Sequence, residues 1–201
     1  MVNNFQAIRN LISFPDKTSF YFLQLLKRRK DNPDLDKDVI HIADYYIYSF
    51  EQFDKMEKTI VDHCNIENAR AYFRINRRDA KKLGMKVLKR VVEYMESENY
   101  LAIKNVYASC AGEFHSDEDK KWIVDVDYKD IPGDYDLDDF MNRLTSKIQE
   151  LVYETGRDDS VYYMPTKNGI HIICRPFNLK KFGDYYSMDV HKDNMVILYC
   201  P

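Results

Sequence analysis

The chain has 201 residues, of which 45% are hydrophobic and 31% charged, with only six glycines and six prolines. This globular composition excludes low-complexity and collagen-like chains, and a net charge of −3 gives no overall attraction to nucleic acid or membranes. The sequence has no signal-peptide pattern at its start and no apolar run of about 18 residues. We therefore expect a cytoplasmic protein without membrane contact. The cysteines are far apart, which predicts free thiols: Cys64, Cys110, Cys174 and Cys200.

The first part of the chain is predicted to be mainly helical. Residues 1–30 carry apolar side chains at helical spacing, and the charged segment 27–34 contains a proline and is typical of an exposed turn. Residues 39–49 fit a strand or a helix, and residues 51–64 are predicted to be helical. Residues 1–68 are therefore interpreted as the helical N-terminal part of a single domain.

From residue 69 to residue 201 the predicted elements alternate. They are a strand at 71–76, a helix at 79–96, a strand at 121–127, a helix at 137–154, strands at 161–164 and 169–177, and a last strand at 195–200. The first of these helices is predicted to turn one apolar face to the core, with Leu83, Val87, Leu88, Val91, Val92 and Met95. Asp136 is the predicted N-cap of the second. This order predicts an α+β domain, a mixed or antiparallel sheet with helices packed on one face.

Two carboxylates share one face of the strand at 121–127. Side chains two residues apart in a strand lie on the same face, so Asp125 and Asp127 are neighbours, roughly 6–7 Å apart at the backbone. Such a pair suits one or two divalent cations, and its oxygen ligands favour Mg²⁺ or Mn²⁺ over zinc. The alternative is that the two charges end an edge strand in water.

A turn followed by a histidine forms the second feature. Lys167 and Gly169 lie in or beside this turn, and His171 shares a strand face with Arg175. Glycine permits close backbone approach and the other three side chains donate hydrogen bonds, so the segment can hold a phosphate chain. The alternative is an ordinary hairpin turn followed by a partly buried histidine.

The third feature is a basic segment at residues 70–90, with nine Arg and Lys residues against one acid. Such a segment fits contact with phosphates, and the predicted nucleic-acid contacts are Tyr72, Arg74, Arg77 and Arg78. A solvated helix face is the alternative explanation for the charge.

Together these features resemble the archaeo-eukaryotic primase superfamily, the primase–polymerases. The family's first motif is a hydrophobic strand ending in Asp-x-Asp, which matches Trp122–Asp127. Its second motif matches Thr166–His171, and the best candidate for its third motif is Met188–Asn194, with Asp189 as a metal ligand and Asp193 as a competitor. The resemblance covers residues 69–200.

The resemblance implies an RRM-like sheet preceded by a helix-rich α/β unit. It implies that Asp125, Asp127 and Asp189 bind Mg²⁺ or Mn²⁺ and are catalytic. The residues implied to hold a nucleoside triphosphate are Thr166, Lys167, Gly169, His171 and Arg175. The implied activity makes or extends short strands on a single-stranded DNA or RNA template in the replication of a phage, plasmid or mobile element, with replication proteins such as a helicase acting in trans.

Two other functions stay open. One is a non-catalytic RRM-like nucleic-acid-binding or replication-accessory module, in which Tyr72, Arg74 and Phe177 contact bases and phosphates. The other is a metal-dependent nuclease that uses the same carboxylates with a water nucleophile.

Overall fold

The structure is a computed structural model that describes residues 1–116, 119–133 and 136–201. The strands, numbered along the chain, are β1 (Val2–Asn3), β2 (Ser19–Arg28), β3 (Val39–Ile47), β4 (Arg70–Arg74), β5 (Arg78–Asp79), β6 (Trp122–Asp127), β7 (Tyr162–Pro165), β8 (Gly169–Cys174), β9 (Val190–His191) and β10 (Met195–Cys200). The helices are α1 (Phe5–Leu11), α2 (Phe50–Glu67), α3 (Ala80–Glu96), α4 (Tyr100–Ile103), α5 (Val106–Glu113), α6 (Leu137–Tyr153) and α7 (Leu179–Gly183). The predicted α+β class is confirmed.

The strands form two antiparallel sheets rather than one. The first has the order β1-β10-β4-β2-β3, with β5 paired to the start of β2. The second has the order β7-β8-β6-β9. The sequence predicted five of these strands, β4, β6, β7, β8 and β10, but β4 and β10 belong to the first sheet. The strands after residue 69 are therefore divided between the two sheets.

The prediction of a helix throughout residues 1–30 is wrong, because β2 is a long central strand. Its side chains are buried on both faces: Tyr21 and Leu23 pack in the core under α1 and α2, and Phe20 and Phe22 pack with α3 and α5. A strand covered on both sides is apolar at nearly every position and shows no alternation. Within residues 39–49, whose sequence fitted a strand or a helix, Val39–Ile47 form the neighbouring strand β3.

The two faces of the second sheet have different neighbours. On one face, Trp122, Val124 and Val126 of β6 pack against α6 and α7. On the other face, Ile123 and Ile173 join the core of the first sheet. Helix α6 begins as predicted, with the Asp136 carboxylate accepting hydrogen bonds from the backbone of its first turn. The face that carries Asp125 and His171 is therefore the one turned toward the first sheet.

Helix α3 has the predicted position but not the predicted orientation of its apolar residues. Leu83 is buried, and Val87, Val91 and Tyr94 are partly buried against α5 and β2. The other predicted core residues, together with one further methionine, lie on a second face that is mostly exposed: Met85, Leu88, Val92 and Met95. Within the described ranges, no helix is long and apolar enough to cross a membrane.

Candidate active site

Three polar side chains form one row across the second sheet. In the β6–β8 register, Asp125 is paired with His171. In the β6–β9 register, Ile123 pairs with His191 and Val124 with Val190, and the Asp125 amide donates a 2.9 Å hydrogen bond to the Asp189 carbonyl. Residues directly opposite each other in antiparallel strands share a face. His171, Asp125 and Asp189 therefore lie side by side on the face that looks toward the first sheet.

The central carboxylate of this row is held in a positive environment. The His171 Nε2 atom lies 3.4 Å from Asp125 Oδ1. Through this contact His171 lowers the pKa of Asp125, and the nearby charges of His191 and Lys30 act in the same direction, whereas burial opposes the shift. On the other side of the imidazole, His171 Nδ1 is buried and has no hydrogen-bond partner among the described residues. The site therefore keeps Asp125 ionised and one histidine nitrogen unsatisfied.

All three predicted carboxylates line one cleft of about 650 Å³. Asp127 follows Asp125 on the same strand face, and its Oδ2 atom is 3.3 Å from Lys129 Nζ. The rest of the cleft wall is formed by the start of α6 and the segment before β9, including Phe140, Arg143, Tyr185, Tyr186 and Met188. The cleft thus joins a negatively charged floor to a partly aromatic wall.

The donor atoms of this cleft suit a hard divalent cation, since carboxylate oxygens are the ligands that Mg²⁺ and Mn²⁺ prefer. In the parts of the chain that the structure describes, however, no three His, Cys, Asp or Glu side chains are already close enough to hold an ion. Asp125 contacts His171 and Asp127 contacts Lys129 instead. An ion would therefore be bound only after these two side chains turn from their present partners.

Asp189 and Asp193, the two candidates for a third metal ligand, have different contacts. Asp193 Oδ2 accepts a 2.9 Å hydrogen bond from Arg78 Nη2, and Oδ1 accepts one of 3.0 Å from Asn76 Nδ2. Asp189 instead lines the cleft with Asp125 and Asp127. Asp193 therefore joins β9 to the end of β4, and Asp189 is the carboxylate available to the site.

Gly169 has a packing role that its sequence context did not reveal. It pairs with Asp127, and a Cβ atom at this position would lie 2.0 Å from the Val126 carbonyl oxygen. Thr166 donates its amide to the Gly169 carbonyl at 2.9 Å, which closes the turn between β7 and β8. Glycine is therefore required for β8 to approach β6, and the turn positions His171 opposite Asp125.

The structure does not bring every predicted phosphate ligand to the row. Arg175 lies just beyond the end of β8, about 13 Å along the strand from His171, and forms an ion pair with Asp119. It lines a different cavity, which also contains Lys121. Lys167 Nζ lies 2.7 Å from Asp31 Oδ1 and remains half exposed. In this arrangement Arg175 lies apart from His171, and Lys167 is tied to Asp31 after β2.

The predicted nucleic-acid contacts do not form one surface. Arg78 is fully buried and donates to the carbonyls of Asn76 and Ala111 as well as to Asp193, so its expected role at the surface is wrong. Tyr72 is nearly buried in a small cluster with Leu26, Ile197 and Cys200.

The remaining two arginines have separate surroundings. Arg74 Nη1 lies 3.8 Å from the Asp193 carboxylate, and Arg74 lines a third cavity. Arg77 Nη1 lies 3.5 Å from the Ser13 hydroxyl. The basic segment is thus divided between structural ion pairs and the surface.

Sequence reasoning missed the basic residues that follow β2. The pKa of Lys30 is lowered by burial and by the nearby cations Arg70, Arg28 and Lys167, and Lys30 in turn influences Asp125. Asp31 accepts hydrogen bonds from Arg70 at 2.7 and 2.8 Å, and these and Lys167 lower its pKa to about 2. In the sequence, the basic run Lys27–Lys30 could have pointed to these residues, but its charge indicated only an exposed turn.

Comparison with known protein families, curated proteins and solved structures found no match for this chain. Any functional proposal therefore depends on the residues and geometry of the cleft.

Proposed function

We propose that the chain is a metal-dependent nucleotidyltransferase of primase–polymerase type, acting on nucleoside triphosphates and a single-stranded template. One observation carries the proposal: Asp125, Asp127 and Asp189 line one cleft, and His171 lies beside Asp125 on the paired strand β8. These residues come from three separate stretches of sequence, and each belongs to one of the motifs that resemble the primase superfamily.

The connections of the second sheet support the proposal. Its elements follow the order β6-α6-β7-β8-α7-β9, and the strands are arranged β9-β6-β8-β7. This is the β-α-β-β-α-β pattern of split βαβ folds, to which RRM-like domains belong. We interpret residues 122–191 as the RRM-like unit, with the first sheet as the unit that precedes and follows it.

The residues in and near the cleft have distinct roles in this mechanism. Asp125, Asp127 and Asp189 would hold Mg²⁺ or Mn²⁺, which when bound neutralises phosphate charge and activates an attacking hydroxyl. His171, which now lies 3.4 Å from Asp125, would donate a hydrogen bond to the triphosphate. Lys30 and Lys167 add positive charge near the same end of the sheet and attract the polyphosphate. The aromatic wall of the cleft shields the nucleotide from water.

One observation favours a non-catalytic nucleic-acid-binding module as the second candidate. Asp125 and Asp127 each already contact a basic side chain, and the described residues contain no ready group of three ligands. Such pairing is also what a binding surface without metal chemistry would show. A nucleotidyltransferase requires a divalent ion, whereas a non-catalytic binding module does not. A nuclease differs from both because its product is a shortened strand.

The first experiment measures stabilisation by Mn²⁺ together with a nucleoside triphosphate. For saturating ligands we expect about 2–3 kcal/mol, which corresponds to a rise in melting temperature of roughly 5–10 °C in a chain of this size. The double variant Asp125→Asn, Asp127→Asn should lose this rise. The matched control is Asp34→Asn, Asp36→Asn, which removes two exposed carboxylates at the same spacing and should retain it. Equal responses of the two double variants would contradict the metal site.

Primer extension on a single-stranded template then separates the three functions. Mn²⁺-dependent lengthening of the primer supports a polymerase, and Mn²⁺-dependent shortening of either strand indicates a nuclease. Binding of the strand with neither product indicates a non-catalytic module.

The His171→Ala variant tests the phosphate role separately. Loss of a hydrogen bond to a charged phosphate costs about 1.5–3 kcal/mol, so the affinity for nucleotide should fall roughly ten- to a hundred-fold while single-strand binding is retained. A lower melting temperature with unchanged nucleotide affinity would show that His171 serves the fold instead.

A further inference from the structure

The exposed face of α3 carries a continuous apolar stripe. Met85, Leu88, Val92 and Met95 are 67%, 62%, 55% and 53% exposed. Their spacing of three, four and three residues is the a/d spacing of helices that pair with another helix. The opposite face of α3 is already packed against its own domain through Leu83 and the partly buried residues beside it. The stripe therefore has no function in the fold of the described chain.

The charges of α3 are segregated along its length. The basic side chains lie between residues 81 and 90 and are Lys81, Lys82, Lys86, Lys89 and Arg90, of which Lys89 and Arg90 form ion pairs with Glu93 and Glu113 of the same chain. The end of the helix and the turn after it carry the acidic side chains Glu93, Glu96 and Glu98. Two such helices repel each other when parallel and attract each other when antiparallel, because the basic start of each helix then faces the acidic end of the other. The antiparallel arrangement also opposes the two helix dipoles.

We propose that the exposed face of α3 binds the same face of a second copy of this chain, antiparallel, around a two-fold axis between Leu88 and Val92. In this arrangement Leu88 packs against Val92 of the partner subunit, and Met85 against the partner's Met95. Lys82 then faces Glu96 of the partner subunit. The interface is isologous, as is usual for dimers of identical chains.

The size and place of the stripe define what kind of dimer this is. One helix face of this length buries on the order of 800–1,000 Å² in total, which is at the lower end of specific interfaces. A dissociation constant on the order of micromolar is therefore expected. Helix α3 packs against β5, α4 and α5, none of which lines the candidate cleft. The proposed dimer leaves both clefts open and does not depend on the proposed activity.

The first test is sedimentation equilibrium of the full chain from about 1 to about 500 µM, the range that brackets a micromolar constant. We expect a monomer–dimer equilibrium, which Leu88→Gln with Val92→Gln weakens at least tenfold. The matched control is Ile66→Gln, since Ile66 is 81% exposed on α2 and lies outside the stripe. A wild-type chain that stays monomeric, or a control as disruptive as the double variant, would overturn the proposal.

A charge exchange tests the antiparallel orientation. Lys82→Glu alone should weaken the dimer because it places like charges opposite each other, and adding Glu96→Lys should restore it. A double variant that is as weak as the single one, or a single one as strong as wild type, refutes the pairing. Melting curves of each variant confirm that the monomer remains folded.

Cross-linking tests the register. The native cysteines at positions 64, 110, 174 and 200 are all buried, so a cysteine introduced on the stripe is the reactive one. We expect a mixture of Leu88→Cys and Val92→Cys chains to form disulfide-linked dimers faster than either variant alone. Faster linkage within the Leu88→Cys sample alone would indicate parallel helices and refute the proposed arrangement.

Discussion

Replacement of Gly169 by alanine tests how the two motif strands are held together. The added Cβ atom would lie 2.0 Å from the Val126 carbonyl oxygen and 2.9 Å from the Asp127 Cα atom, both in the backbone of the paired strand. Because neither atom can rotate away, β8 must move away from β6 by more than about 1 Å to restore normal contact distances. The movement weakens the ladder at the Asp127–Gly169 pair and the 3.0 Å bond from the Tyr128 amide to the Asn168 carbonyl.

The magnitude follows from these contacts. One or two backbone hydrogen bonds at about 1 kcal/mol each, with a backbone shift of about 1–3 kcal/mol, give a loss of roughly 2–5 kcal/mol in the free energy of unfolding. At a typical urea dependence of about 2 kcal/mol/M, the midpoint of urea unfolding falls by about 1–2.5 M.

The matched control is Gly183→Ala at the end of α7, where nothing lies within 4 Å of the added atom and little change is expected. If Gly169→Ala unfolds at the same urea concentration as wild type, the requirement for glycine between the strands is refuted.

Two more predictions concern the buried ion pairs. Arg78→Met should lower the free energy of unfolding by about 3–5 kcal/mol, because it leaves the Asp193 carboxylate without its buried partner. The control Arg29→Met, at the exposed surface, should change the free energy of unfolding by less than about 1 kcal/mol, and urea unfolding measures both. Normal stability of Arg78→Met together with weaker binding of single strands would show instead that Arg78 acts at the surface. Asp31 has a folded-state pKa of about 2, below its ordinary value of 3.8, so its ion pairs stabilise the fold by about 2 kcal/mol above pH 4 and lose this effect as the pH falls toward 2. Asp31→Asn should therefore be less stable than wild type at pH 7 and approach it below pH 4; a difference that does not change with pH contradicts this assignment.

Much of the local structure could be predicted from the sequence. The helix at 137–153 follows from its apolar spacing and from the Asp136 cap, which act within a few residues of each other. The strand at 122–127 follows from its β-branched residues and from the alternation that separates Val124 from Asp125. Both features place Asp125 and Asp127 on one strand face before any tertiary contact is known.

The partners of those carboxylates were decided only by tertiary structure. Whether His171 and Asp189 lie beside Asp125 depends on the register of two strand pairs that join residues far apart in the chain, and a shift of one residue would move a side chain to the other face. The same holds for Arg175, which shares the predicted face of its strand but contacts Asp119 beyond the strand end.

Burial was likewise decided by the fold. The sequence alone determined the α+β class, five strands and the two longest helices after residue 69, and the place of Asp125 and Asp127 on one strand face. It did not determine that β2 is a central strand, that Arg78 is buried beside Asp193, or that the stripe from Met85 to Met95 faces solvent. Periodicity, caps and turns depend on neighbours along the chain, whereas sheet order, ion pairing and exposure depend on segments that meet only when the whole chain has folded.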